Sequence, residues 1–435
     1  MRSDVVVVGA GAAGLAAART LSEAGRSVVV IEARDRLGGR LLTREDPGLP
    51  VPVDLGGEFV HGTAEASFAL LRTAGTVAID TAEHAFTFED GTLREGHDPF
   101  EIVARVMAGA HDLPEDVSVE AFLRDLRGDA AQVDEERRYA RMLVEGFDAA
   151  DPRRASVRAI GEEWNGGEGG QTARQFRPLG GYARLLRALQ GALDPARAQV
   201  LLETPVRAVR RDAGGVTVEA ARSAGTPLRV EARAAIVTVP TGVLHEGAIA
   251  FEPPLPRRTR EAIAALPLGP VYKLVLRFRS AFWERVAGER YRDGAFFHRA
   301  EAAFPTFWTL LPLRTPLLVA WAGGPRADAL RERSPAERLA LALDDLRVLF
   351  GEEADPHGEL EACYAHDWQN DPYSRGAYSY VATGGGFARA ALAEPVDGVL
   401  FFAGEAAVEA SEAGTAAGAL ISGERAARAA LGALR

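Results

Sequence analysis

Apolar residues open the chain in two unbroken blocks, Val5-Val6-Val7-Val8 and Val28-Val29-Val30-Ile31. Continuous runs of this kind predict parallel strands buried on both faces. Between them stand Gly9-Ala10-Gly11-Ala12-Ala13-Gly14 and a helical stretch from Leu15 to Ala24, with Gly25 as its stop. The opening is thus a βαβ unit of about 30 residues. From residue 100 to 150 the period becomes helical, through Ile102, Val103 and Val106, then Phe122, Leu123 and Leu126, then Tyr139, Met142 and Leu143. Ser118 is placed to cap one of these helices. Asn165 to Gly170 is Gly-rich and predicts a flexible loop. Strand patterns return at Val200–Leu202, Val216–Val218, Ile236–Val239, 271–279 and 317–321, and Pro335 to Phe350 reads as a helix. The end repeats the opening: a strand from Val399 to Phe402, then Gly404-Glu405, then a small-residue helix from about Thr415 to Leu431. No internal repeat is present. The two ends predict one discontinuous α/β domain with a second domain woven between its parts.

Composition narrows the function. A chain of 435 residues with 47% hydrophobic positions has room for two or three domains with large cores. Its net charge of −11 argues against a broad nucleic-acid footprint. No apolar run reaches membrane-spanning length. The apolar start, Val5 to Ala18, is broken by Gly9, Gly11 and Gly14 and reads as structure rather than as a signal peptide. The last helical pattern runs to Arg435, so no C-terminal anchor is expected. A single cysteine, Cys363, excludes an internal disulfide framework and suits a reducing, cytoplasmic location. Eight scattered histidines form no HExxH pair, so no metal is expected.

The glycines carry the chemistry. A G-x-G-x-x-G alone is weak, but here it follows a strand, opens a helix and precedes an acid at the end of the next strand. Gly9 permits the tight turn, Gly11 lets a pyrophosphate approach the backbone beside Ala13, and Gly14 lets helix and strand pack closely. Glu32 can accept hydrogen bonds from a ribose diol. A tight turn with no ligand is the bland alternative. Beyond Glu32 the chain reads Ala33-Arg34-Asp35-Arg36-Leu37-Gly38-Gly39-Arg40. The second Gly pair with the Arg that follows, Gly39 and Arg40, brings more backbone and a cation to the phosphates than a plain nicotinamide dinucleotide domain requires, and Arg34 is a further cofactor-binding candidate.

At these residues the sequence resembles the FAD-dependent amine oxidase family, which includes monoamine oxidases, polyamine oxidases and flavin histone demethylases. Further patches follow in order: Asp54-Leu55-Gly56-Gly57-Glu58-Phe59-Val60-His61-Gly62, Gly180-Gly181-Tyr182, Thr204-Pro205-Val206, Thr238–Leu244, Phe251–Pro256, Asp371–Ser379 and Phe402-Ala403-Gly404-Glu405. The resemblance implies a Rossmann-type FAD-binding domain assembled from 1–76, 178–252 and 372–435. The mixed-sheet and helical substrate domain would take 77–177 and 253–371. It implies that Gly57, Glu58 and Phe59 pass the flavin ring, that Val206 lies at the adenine, and that Gly404, Glu405 and Thr415 close the FAD site.

Lys273, read alone, is a solvated strand lysine. The resemblance instead implies that it holds a water against the reactive nitrogen of the flavin. It likewise places His61 at the substrate entrance, Tyr378 as one wall of an aromatic cage and Trp368 beside the flavin pocket. Two departures stand out. Ala377 replaces the cysteine that links FAD in monoamine oxidases, so non-covalent FAD is expected. Thr415 replaces their second cage tyrosine, which weakens an aryl-amine reading. The expected reaction is hydride transfer from an aliphatic, polyamine-like amine, with O2 as acceptor, giving H2O2 and an imine. L-Amino acid oxidation, a carotenoid- or porphyrin-type desaturation and a non-catalytic flavin-binding partner protein are the rivals. Oligomeric state is left open.

Overall fold

Val5–Val8 and Val28–Ile31 lie side by side as parallel strands and are at most 4% exposed, as unbroken apolar runs require. In the computed structural model, which describes residues 1–62, 64–95, 99–110, 113–165, 174–212, 214–222 and 225–434, they form the middle of an eight-stranded sheet. Its order is Ala198–Leu201, Val28–Ile31, Arg2–Val8, Pro227–Val237, Gly215–Ala221, Val206–Asp212 and Ala250–Glu252. The long strand Pro227–Val237 serves two partners along one edge. Residues 227–232 run antiparallel to Gly215–Ala221, and residues 235–237 run parallel to Leu400–Phe402. The C-terminus therefore enters the sheet beside the N-terminus.

Helix Ala12–Glu23 covers this sheet and packs on the C-terminal helix Ala416–Ala433. The small residues of the last helix have a steric reason. A Cβ on Gly423 would stand 2.2 Å from the Ala13 carbonyl oxygen. Gly25, at φ +79°, turns the chain out of the first helix where its stop is expected.

A seven-stranded sheet lies beyond, in the order Leu360–Ala365, Val271–Phe278, Leu317–Gly323, Thr306–Trp308, Phe296–His298, Ala85–Glu89 and Thr92–Glu95. On Val271–Phe278 the alternation separates the faces. Tyr272, Leu274, Leu276 and Phe278 join one apolar cluster with Phe297, Phe307 and helix Pro335–Phe350. The opposite face is not solvated: Val275 packs with Val53, Leu55 and Trp308, and Lys273 is 3% exposed. The hairpin Ala85–Glu89/Thr92–Glu95 precedes the stretch of helical period. It becomes sheet through parallel pairing with Phe296–His298, far away in sequence.

The expected helical insertion is present as Pro99–Ala108, Val119–Arg124, Ala130–Gly146 and Val157–Asn165. Ser118 caps the second of these, its hydroxyl accepting from Ala121 N at 3.2 Å. The Gly-rich run 166–170 lies outside the described residues. A three-stranded sheet of Val60–His61, Gln175–Pro178 and Ala78–Asp80 joins the two larger units. Strands of the eight-stranded sheet come from 1–76, 178–252 and 372–435; these limits, and 77–177 with 253–371 for the other domain, are proposed. Among the described residues no helix is long and apolar enough to cross a membrane.

Candidate active site

One cavity of about 600 Å³ has the Gly9–Gly11 turn, the strand end at Glu32 and the start of the C-terminal helix in its wall, together with Lys273 and a group of aromatic side chains. At the first end Gly9 has φ +102°. Gly11 precedes the helix with no side-chain cap, and a Cβ there would meet only the Gly38 carbonyl oxygen, at 3.9 Å. The helix N–H groups and the positive end of its dipole are thereby left to an anion. Ala13, Gly39, Gly57, Val206 and Gly404 also line the cavity. Gly14 does not: its Cβ would stand 2.0 Å from the Gly9 carbonyl oxygen, so it serves helix–strand packing.

The charged residues are held by cross-chain ties. Glu32 accepts from Ala10 N at 2.7 Å and Arg34 N at 2.9 Å, which fixes its carboxylate beside the turn. Arg34 lines the cavity, yet its guanidinium is committed to Asp371 at 2.7 Å and Ser374 at 3.0 Å. It therefore clamps the C-terminal segment to the N-terminal one. Arg40 donates to Glu405 at 2.9 Å and to the Ala377 carbonyl at 2.6 Å. Glu405 also accepts from Ser379 Oγ at 2.7 Å. Thr415 caps the last helix, accepting from Gly418 N at 2.9 Å and donating to the Glu412 carbonyl at 2.8 Å. A second helix N-terminus thus borders the cavity.

A glycine cradle, two helix starts and a ribose-type acid on one cavity fit an FAD. Glu32 would hold the ribose, and the backbone from Gly9 to Ala13, with Gly39 and Arg40, would hold the phosphates. Replacing Glu32 by Ala is expected to weaken FAD binding by about 1.5–3 kcal/mol for one lost charge-assisted hydrogen bond. Fluorescence titration of the apoprotein with FAD measures this, and an unchanged affinity would show that the fingerprint has been misread.

Glu58 and Lys273 meet. Lys273 Nζ donates to Glu58 Oε2 at 2.6 Å and to the Gly56 carbonyl at 3.2 Å. Glu58 Oε1 accepts from Arg177 Nε and Nη2 at 2.9 and 2.7 Å and from Trp308 Nε1 at 3.3 Å. Burial alone would raise the Glu58 carboxyl, but Lys273 and Arg177 hold it down at about 2. Glu58, expected to pass the flavin ring, lines the cavity and is also the counter-ion of Lys273.

The aromatic end gathers Phe59, His61, Phe147, Phe296, Trp308, Trp321 and Tyr378. His61 stands 6.1 Å from the Phe59 ring and 5.8 Å, edge-on, from Phe147. Among the described residues its buried Nδ1 has no hydrogen-bond partner, and burial lowers its pKa to about 4, so the imidazole is neutral near pH 7. The Tyr378 hydroxyl donates to the Phe147 carbonyl at 2.6 Å, and burial raises its pKa. That hydroxyl is already engaged, which leaves the ring for contact with a substrate. Trp321 Nε1 donates to the Gly146 carbonyl at 2.6 Å, so two aromatic residues fix the segment that presents Phe147. Trp368 lines the cavity and donates to the Leu55 carbonyl at 2.9 Å.

Phe147, Arg177, Trp308 and Trp321 escape sequence reading. They come from the insertion and from strands distant in sequence, and no local motif marks them. One compositional signal was available: among 50 Lys and Arg residues, Lys273 is the only lysine. Arginine serves every other basic position, including buried pairs. Its planar guanidinium is bulkier than an ammonium and cannot replace it in a narrow site.

Comparison with known proteins gives the family. The family model described as flavin containing amine oxidoreductase matches residues 12–431. Polyamine oxidase 4 of Oryza sativa subsp. japonica is 30% identical over 463 residues, which cover 97% of this chain and 87% of that protein. Lysine-specific histone demethylase 2 of Homo sapiens is 29% identical, covering 93% of this chain and 50% of the longer relative. Among solved structures, putrescine oxidase bound to putrescine superposes with a TM-score of 0.82 at 26% identity, over 99% of both chains. With a glycine cradle, a lone buried lysine and an aromatic chamber on one cavity, and with its family model spanning the same elements, the chain belongs to the flavin-containing amine oxidoreductases and is an FAD-dependent amine oxidase.

Proposed function

We propose that the substrate is an aliphatic primary or secondary amine of the diamine or polyamine type, with O2 as the acceptor. FAD, when bound, supplies the two-electron chemistry, taking a hydride from the amine α-carbon to leave an imine and passing the electrons to O2 as H2O2. The observation that carries the substrate reading is the chamber itself: aromatic walls, a neutral His61 and one ammonium, Lys273, held by its own carboxylate. Aromatic ring faces attract cationic character and give a slot of low polarity. Low polarity penalises a charged amine and favours the neutral form, whose lone pair is free. Tyr378 and Phe147, joined through one hydrogen bond, form the wall that orients the α-carbon. The start of helix Ala416–Ala433 supplies positive dipole where negative charge develops.

Amino acid oxidation has less support. Arg34 and Arg40, which line the cavity, are paired with Asp371 and Glu405, and Arg177, over the Phe59 ring, is paired with Glu58, so none of these three is left to take a substrate carboxylate. The relatives named polyamine oxidase and the putrescine oxidase neighbour support the amine class. An amine-panel peroxide assay, with putrescine, spermidine, benzylamine and several L-amino acids, tests the proposal. Turnover confined to amino acids would overturn it.

Non-covalent FAD and a cytoplasmic location belong to the same proposal. Ala377 stands where a linking cysteine would be. Cys363 lies on Leu360–Ala365 opposite Leu276, packed among apolar side chains, with its thiol pushed up to about 11 by burial. Acid precipitation is therefore expected to release all the flavin into the supernatant. Yellow colour retained by the washed polypeptide would refute a non-covalent site.

A further inference from the structure

Three charged side chains meet in a buried cluster: Lys273, Glu58 and Arg177 are 3%, 7% and 7% exposed. One carboxylate stands between two cations. Arginine does not give up its proton in proteins, whereas a buried lysine without a counter-charge does. The carboxylate is the anion bonded to Lys273, so its place sets where the lysine N–H groups point. We propose that Glu58 is a positioning residue that keeps Lys273 an obligate hydrogen-bond donor toward the flavin site. An ammonium has three N–H groups. Glu58 and the Gly56 carbonyl take two, which leaves one for the cavity that Lys273 lines. A neutral amine in its place could accept as readily as donate and would no longer set the orientation of a water or of a substrate nitrogen.

Glu58 is itself rigidly held. Arg177 binds it through two N–H groups, Trp308 through its indole, and Arg177 is braced on the Leu310 carbonyl at 3.4 Å. These donors come from Gln175–Pro178 and Thr306–Trp308, so the orientation of Lys273 is fixed by strands of two different sheets. Asp54, which Lys273 also acts on, is tied to Thr43 Oγ1 and to Tyr182 N and is pushed up to about 6 chiefly by burial. Across the ladder Lys273 faces Trp321, and the Trp308 ring centre is 5.9 Å from its Nζ. Neither indole ionises.

The inference rests on the reading that Lys273 acts on the flavin, and the test separates the two. Because Lys273 is the only lysine, holoenzyme labelled with [15N]lysine gives a single side-chain nitrogen resonance. In the wild type that nitrogen is expected to show the chemical shift and proton couplings of an ammonium bonded to a carboxylate, and in Glu58→Gln, where shape is kept and charge removed, to lose them. Flavin reoxidation is expected to be slowed in Glu58→Gln, and Glu58→Gln/Lys273→Met to be no slower than Lys273→Met alone. A nitrogen resonance identical in wild type and Glu58→Gln overturns the inference, as do additive kinetic losses in the double variant. If Lys273→Met itself reoxidises at the wild-type rate, the functional reading of Lys273 fails, while the resonance still decides what Glu58 does. Should Glu58→Gln not fold, Glu58→Asp keeps the charge at shorter reach. It is expected to shift the resonance by a smaller amount, and an unchanged resonance there overturns the inference equally.

Discussion

Lys273→Met is expected to slow the flavin half-reactions, reoxidation above all, by about 10²-fold, the usual cost of removing one preorganised donor. FAD is expected to stay bound. Methionine has nearly the length of lysine, so the strand Val271–Phe278 keeps its packing. Glu58 keeps Arg177 and Trp308 as donors, so no carboxylate is left buried without a partner. The substitution therefore removes one ammonium and little else. A lysine that served only the fold would give wild-type kinetics, with the loss confined to stability. Stopped-flow absorbance of the flavin, first under anaerobic amine and then on mixing with O2, distinguishes the two. Two half-reactions at wild-type speed would remove Lys273 from the mechanism.

Arg389→Met is expected to lower stability by about 3–5 kcal/mol, the cost of leaving a buried carboxylate without its cation. Arg389 donates to Glu163 at 2.9 Å and to Ser379 Oγ at 3.1 Å, and both ends of the pair are 8% exposed or less. Ser379 in turn donates to Glu405, which binds Arg40. The chain of contacts links the insertion, the C-terminal segment and the dinucleotide end. Burial raises the Glu163 carboxyl even with Arg389 present. A carboxyl raised in the folded state stabilises the fold below its unfolded pKa, and that contribution is lost as pH rises through the folded value. The variant is therefore expected to lose more stability at pH 7.5 than at pH 5. Urea unfolding at the two pH values checks this, and an equal loss at both would show that Glu163 is not the group left exposed to the penalty.

What the sequence determined is local. Val5–Val8, Gly9–Gly14 and Glu32 specify a strand, a turn and a helix start within one stretch, because neighbouring residues suffice to form each of them. Pro335–Phe350 is found as a helix over the expected residues, with Ser334 and Glu337 as a reciprocal cap. Thr415 opens the last helix where the small residues begin. The alternation on Val271–Phe278 separated its two faces correctly. The pattern could not tell that the face carrying Lys273 is buried, because burial depends on what covers a strand.

The tertiary structure decided the partners. Glu58 and Lys273 are 215 residues apart, and Glu58 and Trp308 are 250 apart. No spacing rule reaches that far. Only the meeting of two sheets turns a loop glutamate into the counter-ion of a strand lysine. The same holds for the chamber. Phe147 ends a helix of the insertion, Tyr378 lies on a two-residue strand near the C-terminus, and a 2.6 Å hydrogen bond joins them. Side-chain chemistry is written residue by residue. A buried site depends on which of those side chains exclude water together, and that is a property of packing.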